Sequence, residues 1–342
     1  MNVVDGLRLP GLEQTLARVE HALGRSTTAA DPFMSEVAGH LVAAGGKRFR
    51  PALVVASATA CLEAGSHAGG IGDEVVQGAV AVELVHLGSL YHDDVMDEAE
   101  HRRGVQSVNA RWGNLVAILA GDFLLARASE IAAALGTEVA GLLARTIGRL
   151  CEGEVGQLTW SYNPDRSEEA YLSSIGGKTA SLMATSARIG ALVTGAPRAW
   201  VDAMTDYGYS TGMAFQICDD LRDLVCTDDH LGKPAGHDLV EGTYTLPVLR
   251  ALAVEGVGDD LRALLGSPLD PPARDKARDL VLSSGAIGST VREARSWATR
   301  AEAALNPLRL GPAGASADPI PHTLEAVGRV ADRLVDELET GL

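Results

Sequence analysis

The sequence predicts an all-α protein. Aromatic residues make up only 4% of it, β-branched residues rarely alternate with polar ones, and Ala, Leu and Val recur at spacings of three and four. The first helix is expected over residues 12–23. The second runs from Asp73 to Asp97, where Val76, Val80, Leu84, Leu87, Tyr91 and Val95 step by four, four, three, four and four along one slowly drifting stripe. The same patterning predicts helices over residues 114–135, 138–160, 168–193 and 201–224. Helix breakers collect at residues 65–72, 163–165, 195–197, 256–272 and 306–321, and the last two stretches read as long loops. No strand is needed anywhere, and no repeat of solenoid period is visible. None of the breaks separates compositionally different halves, so residues 1–342 are expected to form a single all-helical domain, with its core at about 40–250 and a helical appendage over about 251–342.

Charge and composition remove several function classes. Against 45 Asp and Glu stand 29 Lys and Arg among 342 residues, a net charge of −16 that argues against a nucleic-acid partner. The apolar stretches fall far short of the roughly 20 residues that span a bilayer. Residues 1–18 lack the basic start and apolar run of a signal peptide, so a cytoplasmic address is expected. Cys61, Cys151, Cys218 and Cys226 are scattered, which suggests neither a disulfide framework nor a zinc site.

One internal echo carries chemistry. His92-Asp93-Asp94-Val95-Met96-Asp97 is repeated as Cys218-Asp219-Asp220-Leu221-Arg222-Asp223, more than a hundred residues on and again at the end of a long helical pattern. On a helix Asp93 and Asp97 share a face, as do Asp219 and Asp223, so each pair presents two carboxylates to one point. Carboxylates at a helix C-terminus meet the negative end of the macrodipole, and a bound cation would offset that. Magnesium suits such a site, because it takes one or two carboxylates and keeps its other positions for water or phosphate oxygens. One such cluster alone reads as a solvated helix end. Two copies favour a metal.

Basic clusters stand out against this acidic background: Gly45-Gly46-Lys47-Arg48-Phe49-Arg50-Pro51, and Arg102-Arg103-Gly104 directly after the first triplet. Arg offers a bidentate fork to phosphate oxygens and Lys a point charge, so cations beside an acidic metal site point to a phosphorylated substrate. Gly176-Gly177-Lys178-Thr179 falls short of a nucleotide-binding P-loop, since Leu172 stands where that motif needs its first Gly. It reads either as a cation and a hydroxyl for a diphosphate or as a plain helix break.

Taken together, in unbroken order from Gly45 to Pro247, these motifs resemble the trans-isoprenyl diphosphate synthases, the polyprenyl synthetase family. The matching blocks include Glu83 through Asp97, Gly121-Asp122, Phe215-Gln216 before the second triplet, Gly232-Lys233-Pro234 and Asp238-Leu239. The resemblance implies a bundle of long helices around a central apolar cavity, and a homodimer. It implies that Asp93, Asp97 and Asp219 are ligands of several magnesium ions, with Asp94, Asp220 and Asp223 completing or supporting the cluster. It places isopentenyl diphosphate on Lys47, Arg50, His86 and Arg103, and the allylic diphosphate on Arg102, Lys178, Thr179, Gln216 and Lys233. One departure is Thr243 in Glu241-Gly242-Thr243, where many relatives carry Lys.

The implied reaction condenses an allylic diphosphate with isopentenyl diphosphate and releases pyrophosphate, with no protein nucleophile. Gly88 and Ser89 lie five and four residues before Asp93, with Val85 deeper on the same helix. By the resemblance, the absence of an aromatic at Gly88 implies products beyond fifteen carbons. Close packing against a neighbouring helix is an equal reading of the small pair. The alternatives are a geranylgeranyl or shorter-chain synthase, a terpene cyclase on the same scaffold, and a non-catalytic subunit of a heteromeric synthase. The intact second triplet favours a synthase over a cyclase.

Overall fold

The computed structural model describes residues 9–65, 70–226, 235–310 and 322–341. Helices dominate it, as expected. Among the described residues the sole β structure is a two-stranded hairpin, β1 (His101–Arg102) and β2 (Val105–Gln106), which the helical periodicity gave no reason to expect. The described residues fall into two compact units.

The first unit comprises residues 1–147, 182–208 and 305–327. Its leading helices are α1 (Leu12–Ser26), α2 (Pro32–Ala43), α3 (Phe49–Ala64) and α4 (Asp73–Met96). They are followed by β1 and β2, then α5 (Val108–Trp112), α6 (Asn114–Ala134) and the start of α7 (Thr137–Thr159). Helix α4 is its axis. Of the predicted stripe Val76, Val80, Leu84, Leu87 and Tyr91 are buried and Val95, in the last turn, is half-buried, but Val75, Ala79, Val82 and Val85 on other faces are buried too. A helix that is apolar all round is a core helix rather than a surface one. The same property hid α3 from periodicity, since Ala52, Leu53, Val54, Val55 and Ala56 are all buried in succession. Helix α2 begins at Asp31, whose carboxylate accepts from Met34 N at 2.9 Å, with Pro32 in the first turn, where no N–H is needed. Tyr91 ties α4 to α2 by donating to Val37 O at 2.8 Å.

The second unit comprises residues 148–181, 209–304 and 328–342. It holds the C-terminal part of α7 and α8 (Glu168–Ile175), which runs through a π-helical segment (Gly176–Ala180) to the first residue of α9 (Ser181–Val193), the rest of α9 belonging to the first unit. Gly-Lys-Thr is therefore a widened helical turn, not a break. Most of α10 (Arg198–Val225) follows, then α11 (His237–Val240), α12 (Leu246–Leu252), α13 (Val257–Arg262), α14 (Pro271–Ser283) and α15 (Ala286–Ala304). Helix α13 interrupts the stretch expected as one loop over 256–272. Of the other expected loop, residues 306–309 form α16 (Asn306–Arg309) in the first unit, and most of the remainder lies outside the described residues. The chain closes with α17 (His322–Gly328) and α18 (Val330–Gly341). No helix among the described residues is long and apolar enough to cross a membrane.

Candidate active site

The first acidic motif occupies the last turn of α4, with Asp97 as its C-cap and Asp97 N donating to Asp93 O at 2.8 Å. The structure sorts its carboxylates. Asp93 is half-buried and Asp97 exposed, whereas the Asp94 side chain is wholly buried. Arg102 Nε donates to Asp94 Oδ1 at 2.6 Å and Nη2 pairs with the same oxygen at 2.6 Å, while Oδ2 is buried with no hydrogen-bond partner. Burial pushes the Asp94 carboxyl above its ordinary range, against the pull of Arg102. Arg102 can make this contact because Arg103 and Gly104, both at positive φ (54° and 77°), form the two-residue turn between β1 and β2. The same turn sends Arg103 the other way, to the carbonyls of Leu41 (3.2 Å) and Gly45.

A second layer of charge supports the basic residues. Arg48 sits in the left-handed region at φ 47° as the N-cap of α3. Its buried guanidinium donates to Glu83 Oε1 at 2.8 Å and pairs with Glu20 on α1. Glu83, only 1% exposed, also lies 3.7 Å from Arg103 Nη2. Arg50 and His86 are half-buried and Lys47 is exposed. Arg50 is shifted down by burial, with Arg103 adding to the shift and Glu83 opposing it. His86 is held far below the usual imidazole range by burial and then by Arg50, Arg103, Arg48 and Arg102, so it is neutral here. Lys47, Arg50, His86 and Arg103 thus belong to one unit, in which Arg50 and Arg103 gather with Arg48 around Glu83, a carboxylate for which the sequence reading had no role. Glu83 and Glu20 were missed because each is one acid among many until the fold pairs it with Arg48.

The second acidic motif ends α10. Here too the residues divide: Asp219 is exposed, while Asp220 and Asp223 are buried. Asp223 Oδ2 accepts from Asp238 N at 3.1 Å. Asp220 accepts at both oxygens, from Tyr171 OH at 2.6 Å and Gln216 Nε2 at 2.7 Å. Burial, with Asp219 and Asp223 adding to it, pushes the Asp220 carboxyl above its ordinary range, and the two hydrogen bonds pull it back. Gln216 Oε1 in turn accepts from Thr179 Oγ1 at 2.8 Å. Lys178, beside Thr179 in the π segment, pairs with Glu154 Oε2 on α7 at 2.6 Å. The segment lies hard against α7: a Cβ on Gly153 would come within 2.8 Å of Ser174 O, and one on Gly177 within 2.8 Å of Arg149 O. Lys233 lies outside the described residues. Thr243 is half-buried, its N–H on Asp238 O at 2.8 Å.

The residues weighed for chain length separate as well. A Cβ on Gly88 would stand 3.1 Å from Gly121 O and 3.2 Å from Leu125 Cγ, so Gly88 is where α4 packs closely on α6. That is the packing reading of this position. Ser89 is half-buried, its hydroxyl on His86 O at 2.9 Å, and Val85 is buried.

By donor type each acidic motif fits magnesium: Asp93 and Asp97 in one unit, and Asp219 in the other, carry hard carboxylate oxygens outside the core. Among the described residues no three His, Cys, Asp or Glu side chains stand together as a ready metal cluster, and Asp94 Oδ2 is buried with no hydrogen-bond partner.

Long helices that end in acidic motifs, with Arg102 on the buried Asp94 in one unit and Thr179 on Gln216 beside the buried Asp220 in the other, belong to an all-α enzyme of isoprenoid diphosphate chemistry. The Polyprenyl synthetase family matches residues 31–277, and the chain belongs to that family. It is 43% identical over 270 residues to the nonaprenyl diphosphate synthase of Mycobacterium tuberculosis, covering 79% of each chain. It is also 43% identical over 250 residues to heptaprenyl diphosphate synthase component 2 of Geobacillus stearothermophilus, covering 72% of this chain and 75% of that one. A polyprenyl synthase from Caulobacter crescentus, solved with calcium and isoprenyl diphosphate, superposes with a TM-score of 0.85 at 35% identity, covering 97% of both chains.

Proposed function

We infer that this chain is a magnesium-dependent, chain-elongating trans-prenyltransferase that condenses an allylic diphosphate with isopentenyl diphosphate and releases pyrophosphate, giving products beyond fifteen carbons. The observation that carries the reading is the division within each Asp-Asp-x-x-Asp motif, where a leading carboxylate stays accessible while its neighbour is buried and locked by donors. Bound magnesium would supply Lewis-acid stabilisation of the leaving diphosphate, held by Asp93 and Asp97 at one motif and Asp219 at the other. Lys178, Thr179, Gln216, Arg102 and Lys233 would orient the allylic diphosphate, and Lys47, Arg50, His86 and Arg103 the isopentenyl one. Neutral His86 would donate a hydrogen bond there without adding a charge to a cluster already rich in arginine. These fixed donors aim at charge that develops on ionisation, the condition under which electrostatic preorganisation is most effective.

Product length beyond fifteen carbons is supported by the nonaprenyl and heptaprenyl synthases among the relatives. Ser89, with Val85 beneath it, is the residue we assign to the floor. The main body at about 40–250 would carry the catalysis, with about 251–342 as its appendage. We place the enzyme in the cytoplasm, where its four thiols, all free in the structure, would stay reduced. We also propose a homodimer through the exposed apolar face of α6. The relative named as a component raises a second reading, a subunit that needs a different partner.

One experiment decides the reaction, its metal dependence and the product length. The purified chain is incubated with farnesyl diphosphate, labelled isopentenyl diphosphate and magnesium, and the products are read by mass spectrometry. Elongated polyprenyl diphosphates are expected, abolished by EDTA and restored by excess magnesium. Label left wholly unincorporated would overturn the reading for the isolated chain, and cyclised farnesyl products would replace it with a cyclase.

A further inference from the structure

We infer that Tyr171 is a positioning residue for the allylic diphosphate, acting through Asp220, Gln216 and Thr179 on the turn that carries Lys178. The inference rests on the function proposed above and adds a residue that the sequence motifs do not contain.

Four side chains form one hydrogen-bonded run. Tyr171 OH donates to Asp220 Oδ2 at 2.6 Å, Gln216 Nε2 to Asp220 Oδ1 at 2.7 Å, and Thr179 Oγ1 to Gln216 Oε1 at 2.8 Å. The run closes on itself, because Tyr171 and Thr179 lie on one continuous helical stretch while Gln216 and Asp220 lie one turn apart on α10. The π segment is what lets it close. Over the eight residues from 171 to 179 an unbroken α-helix would leave the two side chains about 80° apart. The wider turn over Gly176–Ala180 rotates less per residue and brings Thr179 back toward the Tyr171 face.

The donor and acceptor roles are fixed from the Tyr171 end. Tyr171 is 1% exposed, its ring lies 5.5 Å from the Arg166 guanidinium carbon, and Arg166 is anchored in turn by Nη1 donating to Tyr244 O at 3.4 Å. With the phenol on Oδ2, the carboxylate has Oδ1 for Gln216. The amide must then show its nitrogen to Asp220 and its oxygen to Thr179. The Thr179 hydroxyl proton is thereby committed to Gln216, and the next residue back, Lys178, is held in register to meet a phosphate. Without the phenol O–H, Oδ2 of Asp220 is buried with no donor, and the carboxyl has to turn or be neutralised. Either change removes the reason for the Gln216 orientation and releases Thr179.

The test is Tyr171→Phe, Thr179→Val and the double variant, each titrated calorimetrically in magnesium buffer with the unreactive S-thiolo analogues of farnesyl and isopentenyl diphosphate. Melting curves are recorded alongside. Each single variant is expected to bind the farnesyl analogue about tenfold more weakly, the loss typical of one charge-assisted contact, here that of a displaced Lys178, since the Thr179 proton is spent on Gln216. Binding of the isopentenyl analogue should not change, and the double variant should be no weaker than either single. A residue needed only for stability would move both ligands together and add to Thr179→Val, and that result overturns the inference. If Tyr171→Phe does not fold, Asp220→Asn is used instead. With Tyr171 donating to its oxygen, the Asn amide faces Gln216 with N–H and forces the Gln216 amide over, so the same selective tenfold loss is expected at saturating magnesium, whereas a loss that excess magnesium reverses is a metal effect and overturns the inference. Unchanged affinity there also overturns it. Wild-type protein that fails to bind the farnesyl analogue counts against the proposed function itself, which keeps the two failures apart.

Discussion

Arg48 and Lys47 are neighbours with opposite fates, and the contrast is testable. Arg48 is buried in a left-handed conformation that costs a non-glycine residue of order 1–3 kcal/mol, a strain tolerated because its guanidinium pairs with Glu20 and Glu83. Arg48→Ala would leave the buried Glu83 carboxylate short of its nearest cation and should cost about 3–5 kcal/mol in urea denaturation. Lys47→Ala, on an exposed side chain, should stay within about 0.5 kcal/mol of wild type and instead raise the KM for isopentenyl diphosphate. His86 gives a pH signature. Its folded pKa lies below the unfolded value, so between the two the unfolded chain binds the extra proton. Stability is then intact above about pH 6.5 and falls as the pH drops below that value. His86→Asn should flatten this acid limb in melting curves recorded from pH 7.5 to 5. A bound diphosphate opposes the arginine charges, so isopentenyl diphosphate should raise the His86 pKa in an NMR titration.

At the scale of elements, two glycine contacts set where helices meet. Gly153 and Gly177 bring α7 against the π segment, and a methyl at Gly153 would collide with backbone rather than with a side chain that can move aside. Gly153→Ala should therefore lower the melting temperature and weaken allylic diphosphate binding together, because it displaces the turn that carries Lys178. Gly88 does the same for α4 on α6. Gly88→Phe is expected to cost stability through overpacking, whereas Ser89→Phe should fold and shorten the product, as chromatography of dephosphorylated products would show. The acidic helix ends were legible in the sequence because a four-residue spacing on a long apolar pattern needs no tertiary information. So were α4, α6, α7 and α10, whose ends fall within a few residues of those expected. Helix α3 was not, since a segment buried on every side has no stripe to read. Nor was the π turn, because Gly-Gly-Lys-Thr is compatible with a break until Tyr171 and Thr179 are seen to reach the same helix. The division of each triplet into accessible and buried carboxylates was likewise hidden, since Asp94 and Asp220 differ from their neighbours only in what the fold places against them.

For the molecule as a whole, a chain carrying −16 nonetheless exposes apolar side chains in a row. Leu115, Ile118 and Leu119 on α6 are 71%, 42% and 50% exposed. In a two-fold interface the same patch serves both partners, so six such side chains would leave water together. At roughly 1.5 kcal/mol or more for each fully buried one, their burial can exceed the lower estimates of the cost of association. The shared negative charge works the other way and is screened beyond about 8 Å at physiological ionic strength. The dimer should therefore tighten as salt rises from 20 to 300 mM, the opposite of an interface held by ion pairs. Sedimentation equilibrium over that range tests it. Leu119→Asp, which places two like charges across the axis, should yield monomer while the far-ultraviolet spectrum stays helical. A wild-type chain that remains monomeric and inactive at every salt concentration, yet gains activity with a second protein, would assign the α6 face to a heteromeric partner instead.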